Sequence, residues 1–284
     1  MTARVVQLLQ EAPVGLAVDP TVGGGGHAAA LLAAAPHLRL LAADRDPEAV
    51  AVARRRLAAF GTDRATVVRC DLSSIPALLD ERDDEVSALL LDCGLSSRQI
   101  DDPGRGFSFM KDGPLDMRAD PDLPVSAAEL VNGLSHDELA DVIYRFGDER
   151  GLRAIAKRIV NARPLSTTAE LAQVVGRGVP ERFRIKTTAR VFQAIRIAVN
   201  DEIDQIESTL PELVRRLVPG GRTVALTYHS IEHRAVRNVF RDLKRGRVVR
   251  TLVRSPERPE RAECALNPRA RSARLRAVER MRES

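Results

Sequence analysis

The chain has no tryptophan, two tyrosines and seven phenylalanines, so its core must be built from Ala, Val, Leu and Ile. Cysteine is equally scarce. Cys70, Cys93 and Cys264 are odd in number and widely spaced, which fits neither a disulfide framework nor a metal-ligand motif and suits reduced cytosol. Long apolar runs are missing as well. The most apolar stretch, Ala28 to Pro36, is far too short to span a bilayer, and no basic segment followed by an apolar core opens the chain. These absences predict a cytoplasmic protein with no membrane association and no metal centre. Two phosphate-binding signatures are also absent: G-x-G-x-x-G is not completed, and no Gly-Lys-Ser/Thr loop exists.

What is present is a chain of 284 residues, long enough for one large domain or for one domain carrying a smaller one. The net charge of +5 is unevenly spread. Residues 241–284 hold 14 Lys/Arg against 6 Asp/Glu, whereas residues 1–240 are slightly acidic. A basic tail on an acidic body points to a polyanionic partner, because each phosphate contact gains from counterion release. A solvated Arg-rich end is the plainer alternative.

Residues 18–27 read Val-Asp-Pro-Thr-Val-Gly-Gly-Gly-Gly-His, directly after the short apolar run Leu16 to Val18. Consecutive glycines cannot pack a core; they let the backbone turn sharply and bring main-chain N–H groups against a ligand. A second strand-like run, Leu38 to Ala43, ends in Asp44, placed to accept hydrogen bonds from ribose hydroxyls. With both phosphate signatures absent, S-adenosylmethionine fits better than a dinucleotide or a nucleoside triphosphate. Its ribose suits Asp44, and its amino-acid end suits the glycine turn.

Strand patterns over Ala65 to Arg69 and Val86 to Leu91, the latter ending at Asp92, alternate with helical ones, which predicts a parallel sheet covered on both faces. Residues 93–124 form a long Gly-, Pro- and Asp-rich loop, a length that usually signals function or disorder. Helical spacing then takes over: Leu139, Val142, Ile143 and Phe146, and again Leu152, Ile155, Ala156 and Ile159. Thr167 with Glu170 predicts a capping box. A longer helix, open to a kink at Pro211, is expected from Thr188 to Leu217, stopped by Pro219-Gly220-Gly221. A fifth strand follows at Arg222 to Thr227, then a helix from Ile231 to about Leu243, an irregular linker over 244–268, and a late strand over Ala273 to Val278. The predicted division is a first α/β part at 1–103, a loop and helical insertion at 104–200, and a second α/β part with the basic tail at 201–284.

Five longer strings carry a resemblance. They are Asp92-Cys-Gly-Leu-Ser-Ser-Arg-Gln-Ile-Asp101, Arg105-Gly-Phe-Ser-Phe-Met-Lys-Asp-Gly-Pro-Leu-Asp-Met-Arg118, Ala189-Arg-Val-Phe-Gln-Ala-Ile-Arg196, Tyr228-His-Ser-Ile-Glu-His-Arg234 and Asn267-Pro-Arg-Ala-Arg-Ser-Ala-Arg-Leu-Arg276. Together they closely resemble the bacterial small-subunit ribosomal RNA cytosine-N4 methyltransferases, over about Asp19 to Arg280. The resemblance implies an α/β fold: a class I, Rossmann-like methyltransferase sheet with an inserted all-helical domain. It implies methylation of a decoding-region cytidine from S-adenosylmethionine, with small-subunit RNA or the 30S particle as partner, and leaves a homodimer open.

By position, the resemblance places Gly24, Gly25, Gly26 and His27 at the methionine end of the cofactor and Asp44 at its ribose. Leu72 would flank adenine, and Asp92 and Gln99 would complete the pocket. Asp92, His229 and Glu232 are the candidates for orienting the amine and taking its proton. Cys93 reads as a small packing residue rather than a nucleophile. Arg105, Phe107, Phe109, Arg118, Arg190 and Arg196 are candidate RNA contacts, with Arg269, Arg271, Arg274 and Arg276 in the tail. The phenylalanines have an alternative role in pinning the loop to the core, and Arg105 and Arg118 one in pairing with Asp112 and Asp116. This chain departs from the family pattern at Leu72 (usually aromatic), His233 (usually Asp) and Pro20 (usually small or Cys), and it lacks the usual His-Val-Pro-Val-like opening. Rival readings are the same chemistry on DNA or another RNA, and a non-catalytic ribosome-assembly factor that keeps the pocket.

Overall fold

A computed structural model describes residues 1–82, 84–148 and 151–282. The side chain of Leu152, one of the predicted stripe positions, lies outside the described residues. Seven strands form one sheet: β1 (Gly15–Asp19), β2 (Leu38–Asp44), β3 (Ala65–Arg69), β4 (Val86–Asp92), β5 (Leu217–Thr227), β6 (Val249–Thr251) and β7 (Arg274–Arg280). Their order is β3-β2-β1-β4-β5-β7-β6, with β1 to β5 parallel and β7 antiparallel to both β5 and β6. The helices, in chain order, are α1 (Thr2–Leu9), α2 (Gly26–Ala34), α3 (Pro47–Leu57), α4 (Ile75–Asp80), α5 (Ser97–Asp101), α6 (Ala127–Gly133) and α7 (His136–Gly147). They continue with α8 (Leu152–Asn161), α9 (Thr168–Gly176), α10 (Glu181–Asn200), α11 (Glu202–Arg215), α12 (Ser230–Arg245) and α13 (Arg261–Leu266). Among the described residues, no helix is long and apolar enough to cross a membrane.

The chain divides into two compact units, Met1–Gly94 with Ile203–Ser284, and Leu95–Glu202. The first unit contains the whole sheet. Its central strands are apolar on both faces, as strands covered by helices on either side require. One face buries Ala17, Leu40, Leu90 and Leu226 against Leu31 and Leu32 of α2 and Val5 and Leu9 of α1. Asp46 opens α3 by accepting the Glu48 N–H at 2.9 Å, with Pro47 in the first turn.

The second unit is a helical cluster around Leu139, Ile143, Ile155, Ile159, Leu171, Val191 and Ile195. The predicted box of Thr167 and Glu170 does open α9. The long loop is not loose. Gly106 lies at φ 70°, and a Cβ there would sit 2.3 Å from the Pro114 carbonyl; one at Gly113 would sit 2.0 Å from that of Pro103. Backbone passes so closely over backbone at both points that only glycine fits. Gly113→Ala is therefore expected to destabilise the protein by roughly 3 kcal/mol, read as a lower urea midpoint at unchanged slope.

Three expectations are corrected by the fold. The helix predicted over Thr188 to Leu217 is two helices, separated at Asp201, which adopts φ 50°. The apolar stripe runs on across this break because both helices bury it, so spacing alone cannot reveal the interruption. Asn200 fixes the end of α10, with Nδ2 donating to the carbonyls of Met117 and Arg196 and Oδ1 accepting the Ala119 N–H. The fifth strand starts at Leu217, not Arg222; Pro219-Gly220-Gly221 lies within it as an irregularity, with Val86 opposite Leu217 and then Ala88 opposite Arg222. The linker over 244–268 holds β6 and α13. A three-residue strand has too little sequence to show alternation; pairing with β7 defines it.

Candidate active site

Four loops leave the carboxyl ends of β2, β1, β4 and β5, adjacent in that order, and strand order reverses between β1 and β4. Ligands of open α/β sheets bind at such a switch point. The turn after β1 holds Gly23 at φ 50° and Gly25 at φ 73°. A Cβ at Gly23 would meet nothing within 4 Å, so this glycine is needed for backbone shape and leaves open space beside the turn. Across it, the Asp44 carboxylate accepts the Gly23 N–H at 2.9 Å through Oδ2 and the Asp46 N–H at 3.0 Å through Oδ1. Each oxygen keeps a lone pair for a hydroxyl donor.

Asp92 ends β4 and is held on every side. Its backbone N–H donates to the Thr21 hydroxyl at 2.7 Å, and the Tyr228 hydroxyl donates to its Oδ1 at 2.8 Å. His27 Nδ1 lies 3.2 Å from its Oδ2. Burial alone would lower the His27 pKa, but the hydrogen bond and charge of Asp92, helped by Asp19, hold it above the usual histidine range. Burial together with Asp92 drives the Tyr228 hydroxyl well above the usual range, so it remains a donor.

Beneath this cluster Asp19 is fully buried, accepting the Thr21 N–H at 3.2 Å. Burial, opposed by His27 and reinforced by the charges of Asp92 and Asp44, pushes its pKa up to about 7. An acid raised in the folded state binds a proton more tightly there than when unfolded. Stability is therefore greatest below the unfolded pKa and falls as pH rises towards 7. Asp19→Asn is expected to raise stability at pH 8 by roughly 2–4 kcal/mol while changing it little at pH 4, as urea unfolding at both pH values will show.

The crevice is therefore bordered by two half-buried carboxylates, Asp44 and Asp92, with Asp19 buried beneath them, where their charges add to the rise in its pKa. Such a wall disfavours a pyrophosphate and favours a ligand that carries positive charge. A sulfonium ligand has the charge that matches it. The profile of the MraW methylase family matches residues 1–281. The chain belongs to that family.

Curated relatives agree in length as well as sequence. This methylase is 43% identical over 308 aligned positions to the ribosomal RNA small subunit methyltransferase H of Acidothermus cellulolyticus, covering 100% of this chain and 93% of that protein. Identity is 43% over 282 positions with the protein of the same name from a Cyanothece species, covering 99% and 93%. With that of a Methylobacterium species it is 45% over 301 positions, covering 98% and 88%.

Of the predicted site residues, Gly24, Gly25, Gly26, His27, Asp44 and Asp92 come together in the sheet-bearing unit. Leu72 is buried in a single turn after β3, 5% exposed, where Asp71 caps the turn by accepting the Ser74 N–H. Gln99 belongs to the helical unit, where its side chain accepts the Ser96 N–H in the box that opens α5. His229 and Glu232 are engaged in the start of α12. Glu232 Oε2 accepts the Tyr228 and His229 N–H groups, and His229 Nδ1 accepts the Glu232 N–H. Cys93 is buried.

The candidate RNA contacts divide as sharply. Phe107 is buried in the helical core, and Phe109 packs edge-on against Phe192 at 5.1 Å between ring centres, so both pin the loop. Arg105 donates to the carbonyls of Arg118 and Ala119. Arg118 makes a two-pronged pair with Asp116, and Arg196 another with Glu202. Arg190 is half-buried on α10. Arg269 and Arg271 are exposed, whereas Arg274 and Arg276 are half-buried on β7. Sequence reasoning missed Asp19, Thr21 and Tyr228 as site residues. The signal for Asp19 was available: an acid closing a strand whose other residues are apolar has to be buried for a reason.

Proposed function

We propose that this methylase transfers the methyl group of S-adenosylmethionine to the exocyclic N4 of a cytidine in small-subunit ribosomal RNA. The single observation that carries the reading is Asp92, clamped through both carboxylate oxygens at the edge of an acid-walled glycine turn. Bound there, S-adenosylmethionine supplies an electrophilic methyl on a positively charged sulfur. The rest of the work falls to the chain.

A cytosine amine is a weak nucleophile because its lone pair is delocalised into the ring. Asp92 accepts its N–H, favouring the pyramidal nitrogen, and receives the proton released as the N–C bond forms. Tyr228 and His27 fix the carboxylate so that its remaining lone pairs face the amine, and alignment supplies most of the rate. Asp44 and the glycine turn hold the donor. The basic segment after residue 240 attracts the RNA, whether free or assembled in the 30S particle.

The test is transfer from donor carrying a deuterated methyl group to small-subunit particles, stripped ribosomal RNA and duplex DNA, followed by nucleoside mass spectrometry. Labelled N4-methylcytidine from small-subunit RNA is the expected product. Label on DNA alone, on a ring carbon, or nowhere contradicts the reading.

A further inference from the structure

The end of β5, the first turns of α12 and the segment entering β7 line an open cavity of about 300 Å³, all within the sheet-bearing unit. Arg234, Arg237, Arg258, Arg271 and Arg274 line it together with His233, and no carboxylate is among the lining residues. Several other arginines of this unit are matched to acids: Arg4 holds Glu257, Arg222 and Arg250 share Glu279, and Arg216 bridges Asp80 and Glu212. Among the described residues, Arg237, Arg258, Arg271 and Arg274 have no such partner. The two nearest acids along the chain are committed elsewhere. Glu257 faces Arg4 at 2.8 Å through both oxygens, and Glu232 caps α12.

At one wall, Arg276 Nη2 lies 3.4 Å from His233 Nε2. Both Arg276 Nε and His233 Nδ1 are buried without a hydrogen-bond partner among the described residues. Burial and the charges of Arg276, Arg274 and Arg237 push the His233 pKa down to about 4. The part of this suppression that comes from the three arginines marks a positive potential at the cavity wall. Concentrating this much like charge without a counterion costs stability, which a bound anion would recover.

We propose that this cavity binds one phosphate of the RNA strand, beside the nucleotide that reacts. The inference rests on the proposed RNA substrate and adds the place where its backbone is gripped. The position suits the role, because Tyr228 belongs both to the cavity wall and to the hydrogen bond on Asp92. Arginine forks suit a phosphodiester, whose one negative charge is shared by two non-bridging oxygens, and the first turn of the sixteen-residue α12 adds its dipole. A phosphate seated here fixes how far the attached base reaches towards Asp92.

Two measurements test it. In the first, the full chain is titrated with inorganic phosphate, at constant ionic strength against chloride, while the His233 imidazole is followed by ¹⁵N NMR. Phosphate is expected to raise the His233 pKa by about one unit or more, and His233→Asp, which sets a carboxylate against Arg276, is expected to weaken phosphate binding about tenfold. In the second, methyl transfer is measured on RNA oligonucleotides whose linkages are replaced one at a time by uncharged methylphosphonate. One replacement beside the target is expected to raise KM about tenfold for the native chain, and to have no effect on an Arg237→Gln, Arg258→Gln double variant.

No response of His233 to phosphate, or equal KM for every replaced linkage, overturns the proposal while leaving RNA methylation standing. A phosphate response without any linkage effect also overturns it, since the cavity then serves a free anion. Should the native chain methylate no RNA at all, the proposed function fails instead, and the titration still reports on the cavity.

Discussion

Asp92→Ala is expected to slow methyl transfer in single turnover by about a thousand-fold at saturating donor, within the range that positioned proton acceptors supply. The effect is large because the substitution removes three things together. The amine loses its acceptor, Tyr228 loses the oxygen it donates to at 2.8 Å, and His27 loses the partner that raises its pKa. Asp92→Asn separates these contributions, since it keeps the shape and one acceptor oxygen but cannot take a proton. Its rate is expected to fall nearly as far, with thermal stability close to that of the native chain. Tyr228→Phe leaves the carboxylate in place and removes only its orientation, so about tenfold is expected, the worth of one hydrogen bond. A normal single-turnover rate for Asp92→Ala removes Asp92 from the chemistry and returns the role to His229 or Glu232.

Asp44→Ala is expected to weaken S-adenosylmethionine binding by about a hundred-fold. Two hydroxyl groups donating to one charged carboxylate are together worth roughly 3 kcal/mol, and the same carboxylate holds the Gly23 N–H that shapes the turn. The loss should appear in the dissociation constant of the donor, measured by calorimetry, and not in the rate at saturation. Asp44→Asn can still accept the Gly23 N–H, so an intermediate loss is expected. Equal affinity in all three proteins places the ribose elsewhere.

The sheet was legible in the sequence because its strands are short apolar runs punctuated by Gly, Pro and Asp. Four of the five parallel strands lie within a residue or two of where their patterns put them. β5 escaped in part because Pro219-Gly220-Gly221 reads as a stop, yet pairing with β4 carries the strand through it. The glycine turn and Asp44 were equally plain, since each has a local reason to be where it is. The clamp on Asp92 was not. It joins residues 21, 27, 92 and 228, and no local pattern ties Tyr228 to the end of β4. Nor did charge alone separate arginines that meet an acid, such as Arg118 and Arg196, from Arg237 and Arg274, which do not among the described residues. Pairing is settled by the fold.

The most direct test of the acid-walled crevice is calorimetric titration of the native chain with S-adenosylmethionine, repeated with Asp44→Ala. Saturable one-to-one binding that weakens about a hundred-fold in the variant is the result expected. Absence of binding by the native chain, or an affinity that the variant leaves unchanged, would contradict it.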